Sequence, residues 1–245
     1  MIIVHGLHDH SGRYAWVAGQ LAKQGYSVYG FDLRGHGRSE GRRQAIETSH
    51  DYVDDLHLFV RSVRSREAGR PLFLFGFSMG GTIVGSYALD DRKEADGFIL
   101  AAAALKANRS PAVVGIAKLL MAAFPNRGAF RLQSKDFSRD QDAVAEMEKD
   151  PLVCKEAVPG RTALWILRTG ERIQARAGEF ESPLLLLHGT ADKIIPAEGS
   201  KTLDANVRSN DKTLKLYDGL FHDLSHEPEK QTVLNDISGW LGKHS

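Results

Sequence analysis

The run Pro71-Leu72-Phe73-Leu74-Phe75-Gly76-Phe77-Ser78-Met79-Gly80-Gly81-Thr82-Ile83-Val84 decides the fold. Its apolar start reads as a buried strand, its end as the opening of a helix, and Gly-x-Ser-x-Gly joins them. A strand that enters a helix through such a pentapeptide turns so sharply that only glycine fits on either side of the serine. The hydroxyl is thereby lifted clear of the sheet. The five residues alone are a weak signal, and the strand before and helix after them supply the context. A glycine-rich turn in some other α/β protein is the competing reading.

Outward from this turn, strand and helix alternate. Strands are expected over 2–4, 27–32, 71–77, 97–103, 183–188 and 213–217. Helices are expected over 14–24, 52–65, 79–89, 197–207 and 229–241. Most of the strand segments are near-continuous apolar runs, as befits strands covered on both faces. The order implies an α/β fold, a mostly parallel sheet with helices on both sides and its active site at the carboxyl ends of the strands. The alternation lapses over 105–180, where helical patterns and prolines take over. This predicts one domain with a core of 1–104 and 181–245 and a helical cap inserted at 105–180. Within the insertion, 111–124 is apolar nearly all round, with Lys118 its one charge. Two readings stay open: a helix buried against the core, or a lid lining an acyl pocket with its outer face on lipid.

A chain of 245 residues buries a core that needs no disulfide or metal. Its 42% hydrophobic and 26% charged residues are ordinary for a globular domain. A formal net charge of +1 gives no overall pull toward nucleic acid. The single cysteine, Cys154, excludes an internal disulfide and suits a reducing, cytoplasmic setting. No signal peptide or membrane-spanning run is expected.

A serine hydroxyl needs a base to act as nucleophile, and the base needs a buried acid to fix its tautomer. In this architecture the chain order is serine, acid, histidine. The strand 183–188 leads to Asp192, and the strand 213–217 leads to His222. Ser78, Asp192 and His222 thus arrive in the required order at strand ends. Asp218 competes as the acid but lies close in sequence to His222. His226 competes as the base, and His188 reads as a packed residue. Asp192 also has a plain reading as a turn residue. The charge that develops on an attacked carbonyl oxygen needs backbone donors. Met79 N–H, after the nucleophile, is expected to be one, and Leu7 N–H, in the loop after the first strand, the other. Gly6 lets that loop pass close to Ser78.

With these residues placed, the chain resembles the monoglyceride lipases of the α/β-hydrolase superfamily. The resemblance rests on Val4-His5-Gly6, Ser11-Gly12-Arg13-Tyr14, Asp32-Leu33-Arg34-Gly35-His36-Gly37-Arg38-Ser39, Met79-Gly80-Gly81, Asp150-Pro151-Leu152-Val153-Cys154, Gly189-Thr190-Ala191-Asp192 and Asp211-Lys212-Thr213-Leu214-Lys215. It implies hydrolysis of monoacylglycerols and similar lipid esters without a cofactor. It also implies substrate contacts near the glycerol end from Asp9 and Arg13, and a cysteine near the pocket at Cys154. The chain departs from the family pattern at Leu7-His8, Phe77 and His226, and begins at a strand the family precedes with others.

The His5, His8, Asp9, His10 cluster matches no close metal-ligand spacing. The Gly35-His36-Gly37 loop lacks the Lys-Ser/Thr pair of a phosphate cradle. Arg34 and Arg38 are expected to anchor that loop, and 61–70 to be a solvated helix end. The expected partners are therefore a lipid ester and, through the cap, a membrane surface, with no nucleic acid. Three functions remain: an esterase acting on monoacylglycerol; a hydrolase of short esters, lysophospholipid or aminoacyl peptides; and a ligand-binding protein with little turnover.

Overall fold

The computed structural model describes residues 1–245. The chain opens with β1 (Ile2–Val4), a 3-10 turn over Ser11–Tyr14 and α1 (Ala15–Lys23). Next come β2 (Tyr29–Gly30), α2 (Asp51–Arg66), β3 (Phe73–Phe77), α3 (Met79–Ala88) and β4 (Gly97–Ala101). Then follow α4 (Pro111–Ala123), β5 (Gly128–Phe130), α5 (Gln141–Lys149), β6 (Val158–Pro159) and α6 (Gly160–Ala175). The last elements are β7 (Leu184–Gly189), α7 (Glu198–Asn206), β8 (Lys212–Tyr217) and α8 (Lys230–His244).

Six strands form one sheet in the order β2-β1-β3-β4-β7-β8, every neighbouring pair parallel. The apolar runs explain why. Side chains alternate across a strand, so Ile2, Val4, Leu74, Leu184 and Leu186 join one core cluster, while Ile3, Phe73, Phe75, Leu185 and Leu187 join the other. The first cluster is closed by Tyr52, Leu56 and Val60 of α2, Ile83 and Val84 of α3, and Leu203 of α7. The second is closed by Val17 and Leu21 of α1 and by Val233, Ile237 and Leu241 of α8. The chain leaves β1 for the β2 edge and returns to β3 on the other side. The loops after β1 and β3 therefore diverge at a switch point, where such sheets open a crevice.

The strand expected over 27–32 pairs only at Tyr29 and Gly30. Asp32 leaves the ladder because its carboxylate is taken by local donors: Oδ1 accepts Ser11 N–H (2.8 Å) and hydroxyl (2.7 Å), and Oδ2 accepts Arg38 N–H (2.8 Å). Arg34 fastens the following loop to α2 through Asp51 (2.9 Å) and Asp55 (2.6 Å). The stretch 105–180, expected to be helical, is not wholly so. Gly128–Phe130 and Val158–Pro159 pair antiparallel in a separate two-stranded sheet, too short to leave a period in the sequence. The buried reading of 111–124 is overturned, since no residue of α4 is buried. Leu119 is 73% exposed and Ile116 60%.

Candidate active site

Ser78 leaves β3 with φ 54° and ψ −116°, a left-handed backbone that a side chain rarely tolerates. The strain is held by packing on either side. A Cβ on Gly80 would run into the Val4 and His5 carbonyl oxygens, and one on Gly76 into the Gly80 carbonyl. The turn is therefore pressed between β1 and α3 with room for glycine alone. Ser78 N–H donates to Ala101 O (2.9 Å), and Ser78 O accepts from Ala104 N–H (3.2 Å).

His222 lies in the loop after β8, fully buried. Its Nε2 is 2.9 Å from Ser78 Oγ, so the hydroxyl donates to the ring. Its Nδ1–H donates to Asp192 Oδ2 at 2.6 Å. The ring is packed by Phe77 (centroids 4.9 Å apart) and by Phe137 (5.6 Å). Asp192 Oδ1 accepts the N–H groups of Ile194 (2.8 Å) and Ile195 (2.9 Å). Burial alone would raise the Asp192 carboxyl, but His222 and His188 beside it outweigh that and hold it well below the usual carboxylate range. The two competing residues stand apart from this chain of contacts. Asp218 accepts from the Thr190 hydroxyl (3.1 Å) at the surface. His226 is taken by Asp223 (2.9 Å) and by the Arg13 carbonyl, to which its Nε2–H donates (3.1 Å).

The loop after β1 passes against the serine: a Cβ on Gly6 would lie 3.2 Å from Ser78 Cβ. His5 fixes its course. Nε2 accepts Leu33 N–H (2.9 Å), so the ring proton is on Nδ1, which donates to Gly6 O (2.8 Å). Burial lowers the His5 pKa and keeps that ring neutral. With the Gly6 carbonyl turned to His5, the Leu7 N–H of the same peptide unit points the other way. Neither Leu7 N–H nor Met79 N–H has an acceptor within the protein. Met79 is the first residue of α3, where a helix leaves its N–H groups free and its dipole favours negative charge.

Asp9 and Arg13, expected at the polar end of a substrate pocket, are both engaged by protein partners. Asp9 is fully buried and holds three protein donors: His10 N–H (2.8 Å), Arg13 Nη1 (3.2 Å) and the Tyr14 hydroxyl (3.2 Å). Arg13 Nη2 bridges on to Asp223 at 3.2 Å. The pair forms an ion network beneath the loop. Of its other members, His226, the competing base, instead pairs with Asp223, which carries no sequence signal that separates it from surface residues. Residues of 105–180 clasp the same loops. His10 Nε2 meets Asp150 at 2.9 Å, His8 is bonded to both backbone groups of Cys154, and Asp223 N–H donates to Phe137 O (2.7 Å). Cys154 Sγ accepts from Gln44 Nε2 (3.0 Å).

A cavity of about 460 Å³ opens beyond Ala104, one hydrogen bond from the Ser78 backbone. Its walls are mainly apolar, with Val113, Val114, Ala117 and Met121 from α4 facing Ile166 and Ile194. The geometry can do nucleophilic acyl chemistry: an alcohol on an imidazole, the imidazole on a carboxylate, two free N–H donors nearby, and an apolar recess for an acyl chain.

Comparison with known proteins agrees with this chemistry. The family model described as "Serine aminopeptidase, S33" matches residues 1–229. A monoacylglycerol lipase of Mycolicibacterium smegmatis is 35% identical, covering 100% of this chain and 88% of the relative. The human monoglyceride lipase is 32% identical, covering 100% and 82%. The crystal structure of a Paleococcus ferrophilus monoacylglycerol lipase superposes with a TM-score of 0.85 at 35% identity, covering 100% of this chain and 94% of that one. The chain is thus an α/β-hydrolase and belongs to the monoglyceride lipase family.

Proposed function

We propose that this protein hydrolyses monoacylglycerols to fatty acid and glycerol, with Ser78 as nucleophile, His222 as base and Asp192 as its acid partner. The observation that carries the reading is the unbroken contact from Ser78 Oγ through His222 to Asp192 on a strained strand-to-helix turn. His222 Nε2 accepts the Ser78 proton as Oγ attacks the ester carbonyl carbon. Leu7 and Met79 N–H groups hold the oxyanion. The tetrahedral intermediate collapses, the C–O bond to glycerol breaks, and the imidazolium gives its proton to the leaving alkoxide. Water then enters, is deprotonated by the same ring and releases the fatty acid. Asp192 stays ionised throughout, because its surroundings favour the charged form.

In this reading residues 105–180 are a cap over a core of 1–104 and 181–245, and the apolar cavity under α4 takes the acyl chain. The outer face of α4, with Ile116, Leu119 and Leu120 exposed, rests on lipid. Charge supports a membrane surface: residues 97–135 hold six cations (Lys106, Arg109, Lys118, Arg127, Arg131 and Lys135) and no acid. No helix is long and apolar enough to cross a membrane. Asp9 and Arg13 act by bracing the loop that carries Leu7 rather than by touching glycerol.

The test is a rate comparison across monoacylglycerols of rising chain length, p-nitrophenyl acetate, lysophospholipid and an aminoacyl amide. Highest kcat/KM on a long-chain monoacylglycerol is expected. A preference for the aminoacyl amide would move the chain to peptide substrates instead.

A further inference from the structure

His188 is the one polar side chain on an otherwise apolar face of β7, shared with Leu184 and Leu186 and covered by α7. It is fully buried, and a leucine would serve packing there as well. Burying an imidazole is costly unless both nitrogens are satisfied. Both are. Nδ1 lies 2.8 Å from the hydroxyl of Ser200, itself fully buried on α7. Nε2 lies 3.0 Å from the Ile195 carbonyl and 3.2 Å from Asp192 Oδ2. A carbonyl and a carboxylate only accept, so Nε2 carries the proton, and Nδ1 accepts from Ser200.

We propose that His188, oriented by Ser200, is a positioning residue for the reaction: its Nε2–H, bonded to the Ile195 carbonyl (3.0 Å), also presents its positive edge 3.2 Å from Asp192 Oδ2, the same oxygen that holds His222. The inference rests on the triad reading above. Asp192 Oδ1 is already fixed by two backbone N–H groups. Oδ2 has no backbone donor, and besides His222 the polar group closest to it is His188 Nε2 at 3.2 Å, whose positive edge favours the orientation in which Oδ2 meets His222. It also draws electron density from Oδ2, which limits how strongly the carboxylate holds the proton on His222 Nδ1. The charged groups around the pair are few. Asp192 faces His188 from β7 and His222 from the loop after β8. His222 faces Asp192 and Ser78 and has Asp223 beside it in the chain, while Phe77 and Phe137 complete its surroundings.

His188→Leu should lower kcat roughly 10-fold, the cost of losing one close polar contact to a charged group, with KM little changed. With Oδ2 freed, the carboxylate stabilises the imidazolium of His222 more, so the acid limb of kcat/KM should move to higher pH. His188→Gln, which can place an amide N–H near the same oxygen, should recover most of kcat and the original limb. A purely structural role predicts lower thermal stability with an unmoved pH profile, and no rescue by glutamine beyond that seen with leucine. Should His188→Leu fail to fold, the pH profile of His188→Gln takes its place, and nitrogen-15 NMR of the unsubstituted protein tests the premise: a ring protonated on Nδ1 alone overturns the proposal. Ser78→Ala serves as control. Full turnover in that variant would sink the triad itself, whereas an inactive Ser78→Ala beside an unaltered His188→Leu would sink only the role of His188.

Discussion

Asp192 and Asp223 are both buried carboxylates beside an imidazole, yet their surroundings differ. Asp192 meets a ring whose other nitrogen reaches Ser78, so that ring is free to gain and lose a proton. Asp223 meets His226, whose other nitrogen donates to the Arg13 carbonyl. Burial pulls the His226 pKa down, but Asp223 outweighs it and the value is raised. Burial likewise works against ionised Asp223, whose pKa is nonetheless depressed by His226 and Arg13. The signs follow by linkage. His226, raised in the folded state, contributes its full stability below about pH 6.5 and loses it as pH climbs through the folded value. Asp223, depressed, contributes above about pH 4 and loses it on acidification. Thermal unfolding should therefore show His226→Gln most destabilised relative to the parent near pH 6, with the gap narrowing by pH 9. An equal gap at both pH values would mean that His226 is not charged in this network. The sequence could not disclose any of this. Asp9, Arg13 and Asp223 are charged residues whose default is exposure, and only the closing of the β1 loop on the β8 loop buries them.

Among the elements, α4 separates two roles that its composition leaves merged. Val113, Val114, Ala117 and Met121 line the cavity, while Leu119 and Leu120 look outward at 73% and 56% exposure. Polar replacement at these two positions leaves the fold untouched because neither is packed. Leu119→Gln with Leu120→Gln should lower kcat/KM for long-chain monoacylglycerol roughly 10-fold, the cost of withholding about two methylene-rich side chains from lipid. Rates on p-nitrophenyl acetate should stay within about twofold, since a short soluble ester does not need the interface. Equal losses on both substrates would make α4 merely structural. The strands that carry the site were legible because β3, β4 and β7 are five- and six-residue apolar runs buried on both faces. β2 was legible but read too long, and β5 and β6 were not legible: two or three residues cannot set up a period, and their pairing depends on partners distant in the chain. His188 was read as a packed residue; it is packed, but with its ring edge on Asp192.

Across the whole molecule, charge is unevenly shared. A chain of net +1 concentrates six cations and no acid in 97–135, the stretch that includes the exposed apolar face of α4. Lys118 is paired with Glu171, while Lys106, Arg109, Arg127, Arg131 and Lys135 meet no carboxylate within ion-pair distance. Sedimentation with vesicles should show binding to phosphatidylglycerol-containing bilayers and little to pure phosphatidylcholine. Arg127→Glu with Arg131→Glu, or raised salt, should weaken it. Indifference to both lipid charge and salt would leave only apolar contact. All these scales serve one event, the acylation of a single oxygen. The most direct measurement is intact-protein and peptide mass spectrometry after reaction with a fluorophosphonate. One adduct is expected, on Ser78, slowed by orders of magnitude in His222→Ala. An adduct at another residue, or unchanged labelling in Ser78→Ala, would contradict the account.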